Sequence, residues 1–121
     1  MDHQLSHAEI EALARRIDRP IVLVGMMGVG KTSVGKRLSA LLHIPFVDAD
    51  EEIERAAQMT IPEIFDRFGE DHFRDGERRV IARLLDGPVA SHRKVIATGG
   101  GAFVNPQTRA LVLEQGIAIW L

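Results

Sequence analysis

Ile21-Val-Leu-Val-Gly-Met-Met-Gly-Val-Gly-Lys31-Thr32 decides how the rest of the chain is read. Four aliphatic residues without a polar interruption predict a strand covered on both faces. Gly25 to Thr32 then fits G-x-x-x-x-G-K-[ST] at every fixed position, and Thr32 to Leu42 carries apolar residues at Val34, Leu38, Leu41 and Leu42, which predicts a helix. Strand, glycine loop and helix in this order form a cradle for a chain of phosphates. Glycines at 25, 28 and 30 let the backbone come close and turn successive N–H groups toward phosphate oxygens. The helix adds its positive end. Lys31 can set an ammonium on the outer phosphates of a triphosphate, and the Thr32 hydroxyl is placed to ligate a magnesium ion bridging them.

Composition bounds the rest. A chain of 121 residues is one domain with room for a single core, and a hydrophobic content of 45% excludes disorder. No apolar run approaches a membrane span, so no membrane partner is expected. The formal charge of -2 gives no basic excess for nucleic acid. The chain has no cysteine, which removes disulfides and thiolate metal sites, and no secretory signal precedes the first strand, so the expected compartment is the cytoplasm.

On the N-terminal side, Ser6-His-Ala-Glu9 is a capping-box pattern, and Ile10, Leu13, Ala14 and Ile17 follow at helical spacing. Residues 1–18 are therefore read as an accessory segment with an amphipathic helix over 7–17, which Arg19-Pro20 ends. His3 and His7 lie four apart without a third ligand candidate and are read as solvated histidines.

On the C-terminal side, Ile44 to Asp48 predicts a second strand. Asp48 and Asp50 would point the same way if strand geometry persists, putting two carboxylates at its end where a cation or a hydroxyl-bearing ligand would relieve their repulsion. The same acids, with Glu51 and Glu52, also suit the positive end of a helix running to about Met59. Thr60-Ile-Pro-Glu63 is a second capping box opening a short helix that ends at Gly69, and a longer helix spans about Glu70 to Leu85. Within it Arg74 and Glu77 share a face, either as an ordinary ion pair or as part of a site. Lys94 to Ala97 predicts a third strand running into Thr98-Gly99-Gly100-Gly101. Three glycines there strip the spot of side chains and free backbone N–H groups for a ligand. A helix from Asn105-Pro106 to Gln115, closed by Gly116, leads to a fourth strand, Ile117 to Leu121.

Alternating strands and helices argue for a parallel α/β sheet with right-handed crossovers, and ligands of such sheets bind beyond the carboxyl ends of the strands. The phosphate loop, Asp48 with Asp50, and the triple glycine each follow a different strand, so one cleft is expected to gather them.

With these pieces in order, Arg19 to Leu121 closely resembles the shikimate kinases, on the phosphate loop at 25–32, Phe46-Val-Asp-Ala-Asp50, Phe73-Arg-Asp-Gly-Glu77 and Ala97-Thr-Gly-Gly-Gly101. The resemblance implies a P-loop NTPase-type fold, with residues 19–121 as the kinase domain, and ATP- and Mg2+-dependent conversion of shikimate to shikimate 3-phosphate in aromatic amino-acid biosynthesis by a monomer. It further implies that Lys31 and the loop from Gly25 through Met27, Gly28, Val29, Gly30, Thr32 and Ser33 hold ATP, with Lys31 and Asp50 catalytic. Thr32 would ligate magnesium and Asp48 would support it. Asp50 would bind the substrate's hydroxyls and act as base, Arg74 would grip its carboxylate, Glu77 would belong to the same substrate-binding set, and Gly99, Gly100 and Gly101 would face its ring. In the family a lid bearing an arginine, a further substrate-binding arginine, a fifth strand and an adenine-contacting segment follow, so the domain is expected to be incomplete at its C-terminus. Two other readings stand beside this one: a gluconate-type or nucleoside-phosphate kinase, and a nucleotide-binding module without efficient turnover.

Overall fold

The computed structural model of the chain describes residues 6–25, 30–86 and 93–121. Every residue of β1 (Ile21–Val24) is buried. Parallel partners flank it on both edges, β3 (Val95–Ala97) on one and β4 (Ile117–Trp120) on the other, and β2 (Phe46–Asp48) pairs in parallel with β3, giving the order β2-β3-β1-β4. The two-residue period of the strands sorts their side chains into two layers. Ile21, Leu23 and Val95 pack with Leu38, Leu42 and Phe46 on one face, while Val22, Val24 and Ile96 pack with Ile81, Leu85 and Val112 on the other.

The first face is covered by α2 (Lys31–Leu42), against which α1 (His7–Arg16) lies. The second is covered by α4 (Ile61–Leu85) and α5 (Pro106–Gln115), with α3 (Ala49–Ala57) packed on α4. The expected apolar stripe of α2 needs correction: Leu38 and Leu42 do pack on the sheet, but Val34 and Leu41 are exposed, and the buried positions include Gly35 and Ser39. Small residues let this helix approach closely. A Cβ on Gly35 would sit 3.0 Å from Cδ1 of Phe46 and 3.1 Å from Cδ1 of Leu23, and nearer still to Cε1 of Phe46.

Local signals set most boundaries. Ser6 and Glu9 exchange the two bonds of a capping box, as do Thr60 and Glu63, and Asn105 accepts from the amides of Gln107 and Thr108. Gly69, at φ 86 and ψ 174, breaks α4 where the sequence divides it, because an L side chain is strained in that conformation. β2 starts at Phe46 rather than Ile44: the Ile44 amide donates to Ser39 at the end of α2, at 3.0 Å, and Pro45 has no amide to give the sheet. β3 starts at Val95, one residue later than expected. His3 and most of the connection after α4, residues 87–92, lie outside the described residues, as do Met27, Gly28 and Val29 of the loop. Among the described residues no helix is long and apolar enough to cross a membrane. The β4 edge of the sheet exposes Ile117, Ile119, Trp120 and Leu121.

Candidate phosphoryl-transfer site

The chain leaving β1 crosses β3 to reach β2, whereas the chain leaving β3 crosses β1 to reach β4. Beyond the carboxyl ends of these two adjacent strands the connections diverge, and a crevice opens. Thr98 fixes its floor: its hydroxyl donates to the Leu23 carbonyl at 2.8 Å and its amide donates to the same oxygen at 3.2 Å, tying the end of β3 to β1. Thr98 carries no sequence signal apart from preceding the glycines, and its role emerges only from this contact across 75 positions.

The crevice, about 310 Å³, is lined by Gly30, Lys31, Thr32 and Ser33 from the start of α2, by Asp48 and Asp50, and by Ala97 to Gly100. Gly30 sits at φ 81, ψ 28, and a Cβ there would meet nothing within 4 Å, so here the glycine serves a left-handed backbone rather than space. It supplies no side-chain cap to α2. By contrast α3, α4 and α5 each begin with a side chain that accepts from first-turn amides. The α2 start therefore keeps uncapped N–H groups and its positive end turned to the crevice, as anion binding requires. Lys31 is almost fully buried, and its ammonium donates to the Gly25 carbonyl, which turns the side chain back toward the end of β1.

Asp48 and Asp50 both reach this crevice, though not by strand alternation. The strand ends at Asp48, whose Oδ1 accepts from the Asp50 amide at 2.9 Å and so caps α3, placing Asp50 in the first helical turn. The helix-start reading and the paired-carboxylate reading thus describe the same turn. Burial pushes the Asp50 carboxyl above its ordinary range, neighbouring Asp48 and Glu54 push it further, and Lys31 and Arg74 pull against them. Glu54 was not a sequence candidate. Its Oε2 accepts from the Ile61 amide at 2.8 Å, and its charge acts on Asp50.

A second cleft, about 390 Å³, adjoins the first and shares Asp50, Gly99 and Gly100 with it. Arg74, Glu77 and Gly101 add polar surface, and Ile61, Phe65 and Phe73 form an apolar wall. Nη1 of Arg74 donates to Oε1 of Glu77 at 2.9 Å, its Nε lies 3.7 Å from Glu70, and its guanidinium stands 5.2 Å from the centre of the Phe73 ring. Glu77 is 1% exposed. Its burial raises the carboxyl above the ordinary range while the bond to Arg74 lowers it. An acid buried this way beneath a partly exposed guanidinium fixes a planar fork whose remaining N–H groups can donate to a carboxylate.

A larger cleft, about 560 Å³, lies elsewhere, between α3 and α4, and is lined mainly by apolar groups such as Ile53, Met59, Phe68 and Val80. Of the motif residues it takes only Phe73 and Gly76, and it holds none of the charged candidates. The two smaller clefts hold the convergent charged groups and the two carboxyls raised by burial, Asp50 and Glu77, and these identify a reaction site better than volume does.

Comparison with known proteins gives the family. The family model described as shikimate kinase matches residues 27–121. A shikimate kinase of Novosphingobium aromaticivorans is 66% identical over 124 aligned positions, covering 100% of this chain and 64% of its own length. One from Rhodopseudomonas palustris is 59% identical and is covered over 55% of its length by 96% of this chain. Among solved structures, a shikimate kinase from Acinetobacter baumannii in complex with shikimate superposes with a TM-score of 0.80 at 40% identity, covering 89% of this chain and 59% of that one. The chain thus spans somewhat under two thirds of the length of these relatives. By the family model, by sequence identity and by structural superposition, the chain belongs to the shikimate kinase family.

Proposed function

We propose that this chain carries the phosphate site and the acceptor site of an enzyme that transfers the γ-phosphoryl group of ATP to a ring hydroxyl of shikimate, yielding shikimate 3-phosphate. The observation that carries this reading is the position of Asp50 at the junction of two clefts, one lined by Lys31 and the α2 start, the other by Arg74. A donor phosphate and a small anionic acceptor held in those clefts would meet at its carboxylate. The A. baumannii relative, solved with shikimate, supports the choice of acceptor.

In this reading Gly25, Gly30, Ser33 and the loop between them hold the ATP phosphates, and Lys31 leaves the Gly25 carbonyl for the outer phosphate oxygens. Arg74, braced by Glu77, pairs with the shikimate carboxylate, and Gly99 to Gly101 lie under the ring. Asp50 accepts the proton of the attacking hydroxyl as its oxygen bonds to phosphorus, and the bond to the bridging oxygen breaks with its electron pair leaving on ADP. A carboxyl raised by its surroundings is a stronger base than a solvated one. Lys31 offsets the negative charge spread over the transferring group.

The donor set fits magnesium. Thr32 brings a hydroxyl and Asp48 a carboxylate oxygen beyond the one that caps α3, both hard oxygens beside the phosphate cleft. Mg2+ is commonly held by one or two such protein groups together with substrate phosphates, and when bound it draws off phosphate charge.

The test is a coupled assay of ADP release with shikimate, gluconate or a nucleoside monophosphate as acceptor, with 31P NMR of the product. Shikimate-dependent release and a new phosphate-ester resonance are expected. Faster release with either rival acceptor would overturn the substrate, and nucleotide binding without release would overturn the activity.

A further inference from the structure

Two of the three glycines after β3 face the two side chains on which the acceptor cleft depends. A Cβ on Gly101 would lie 2.8 Å from both Cζ and Nη1 of Arg74 and nearer still to Nη2. A Cβ on Gly99 would lie 2.7 Å from Oδ1 of Asp50 and 3.3 Å from its Cγ and Oδ2. Neither position needs a backbone that only glycine adopts. Gly101 has φ -105 and ψ 0, open to any residue, and Gly99 is not among the glycines of positive φ, which are Gly25, Gly30 and Gly69 among the described residues. What the chain uses at 99 and 101 is therefore the missing side chain.

The two contacts involve different partners. Arg74 is held on three sides, by Glu77 at 2.9 Å, by the Phe73 ring and by the bare backbone of Gly101. Asp50 reaches the junction of the clefts from the first turn of α3, and its carboxylate lies over Gly99. We propose that Gly101 and Gly99 are positioning residues, the first a seat for the Arg74 guanidinium and the second a seat for the Asp50 carboxylate. A methyl group at 101 displaces the guanidinium from the carboxylate-binding fork and strips buried Glu77 of its partner. A methyl group at 99 lifts the carboxylate away from the acceptor hydroxyl. Both displaced groups are the far ends of flexible side chains, so they yield without the sheet moving.

The kinetic consequences rest on the function proposed above, whereas the steric coupling does not, and the experiment reads them separately. Thermal unfolding is measured for Gly101→Ala alone and combined with Arg74→Ala, and for Gly99→Ala alone and combined with Asp50→Ala. Each alanine lowers the midpoint by several degrees in the native background, and at least half of that loss disappears once the facing side chain is truncated. Equal losses in both backgrounds overturn the seats. In the shikimate assay, Gly101→Ala raises KM for shikimate at least tenfold with a smaller effect on kcat, and Gly99→Ala lowers kcat at least tenfold with a smaller effect on KM. Both variants keep their affinity for ATP within about threefold. Identical kinetic changes in the two variants, or a loss of ATP affinity matching the loss of shikimate affinity, overturn the positioning roles. An unmutated protein that phosphorylates no shikimate overturns the proposed function alone, and the thermal cycles then decide the seats.

Discussion

Glu77→Gln separates what the buried acid contributes to the site from what it costs the fold. The carboxyl is 1% exposed and 2.9 Å from Nη1 of Arg74, whose own side chain is 26% exposed. Glutamine has nearly the same shape, and its carbonyl still accepts from the guanidinium, so no cavity opens. The carboxylate's share of the charge is lost, although the guanidinium keeps its own. Hydrogen bonds to charged groups contribute ~1.5–3 kcal/mol and neutral ones ~0.5–1.5, so Arg74 loses at most about 1–1.5 kcal/mol of fixation, or at most about five- to twelvefold in shikimate affinity if the whole loss is felt at the fork. Stability is expected to move the other way. Folding raises the Glu77 carboxyl above its ordinary 4.5 because desolvation outweighs the attraction of Arg74. Between 4.5 and the raised folded value the native chain binds more protons than the unfolded chain, so wild-type stability falls as pH rises through that window. Above the window the penalty is complete. Glutamine never incurs it, so Glu77→Gln melts at or above the wild-type temperature at pH 8, and the difference shrinks as pH falls toward 4.5. Isothermal titration with shikimate and melts across pH 4–8 measure both quantities. A variant that binds shikimate like the wild type, or that is less stable at pH 8 than at pH 4.5 relative to the wild type, would refute the reasoning.

Lys31→Ala is expected to weaken Mg·ATP binding by ~1.5–3 kcal/mol with the fold intact, read by calorimetric titration; equal affinities would remove Lys31 from the phosphate site. Asp50→Asn should reduce kcat by about 10²–10⁴ while ATP affinity changes little. Because the folded Asp50 carboxyl lies above 3.8, its charge opposes folding at neutral pH, so the same variant is expected to melt higher than the wild type at pH 7 and to lose that advantage as pH falls to 3.8. A lower melting temperature at pH 7 would contradict the burial argument. Gly35→Ala, which drives a methyl group against Phe46 and Leu23, should cost about 1–3 kcal/mol by overpacking in denaturant unfolding; no loss would mean that α2 can lift from the sheet freely.

The sequence by itself determined whatever is encoded by neighbours along the chain. The unbroken run Ile21–Val24 marked a strand buried on both faces, the G-x-x-x-x-G-K-T pattern marked the α2 start, and Ser6, Thr60, Asn105 and Gly69 marked where helices begin or break. These signals are local because capping bonds and left-handed turns span only a few residues. The motifs also named the groups at the site, since phosphate chemistry restricts which side chains can serve. What only the tertiary structure decided depends on contacts between distant segments. The sequence could not separate Val34 and Leu41, which face solvent, from Leu38 and Leu42, which pack on the sheet, because the close approach at Gly35 rotates α2 onto its small residues. Nor could it distinguish an ordinary Arg74–Glu77 pair from a buried acid beneath a partly exposed guanidinium, because the spacing is the same in both and only burial differs. The triple glycine was legible as a place without side chains. That the emptiness at 99 and 101 is filled by Asp50 and Arg74, from 49 and 27 positions earlier in the chain, follows from where α3 and α4 set those side chains against the turn after β3. A proximity of that kind is a property of the folded sheet, whose strand order brings together residues that no local pattern connects.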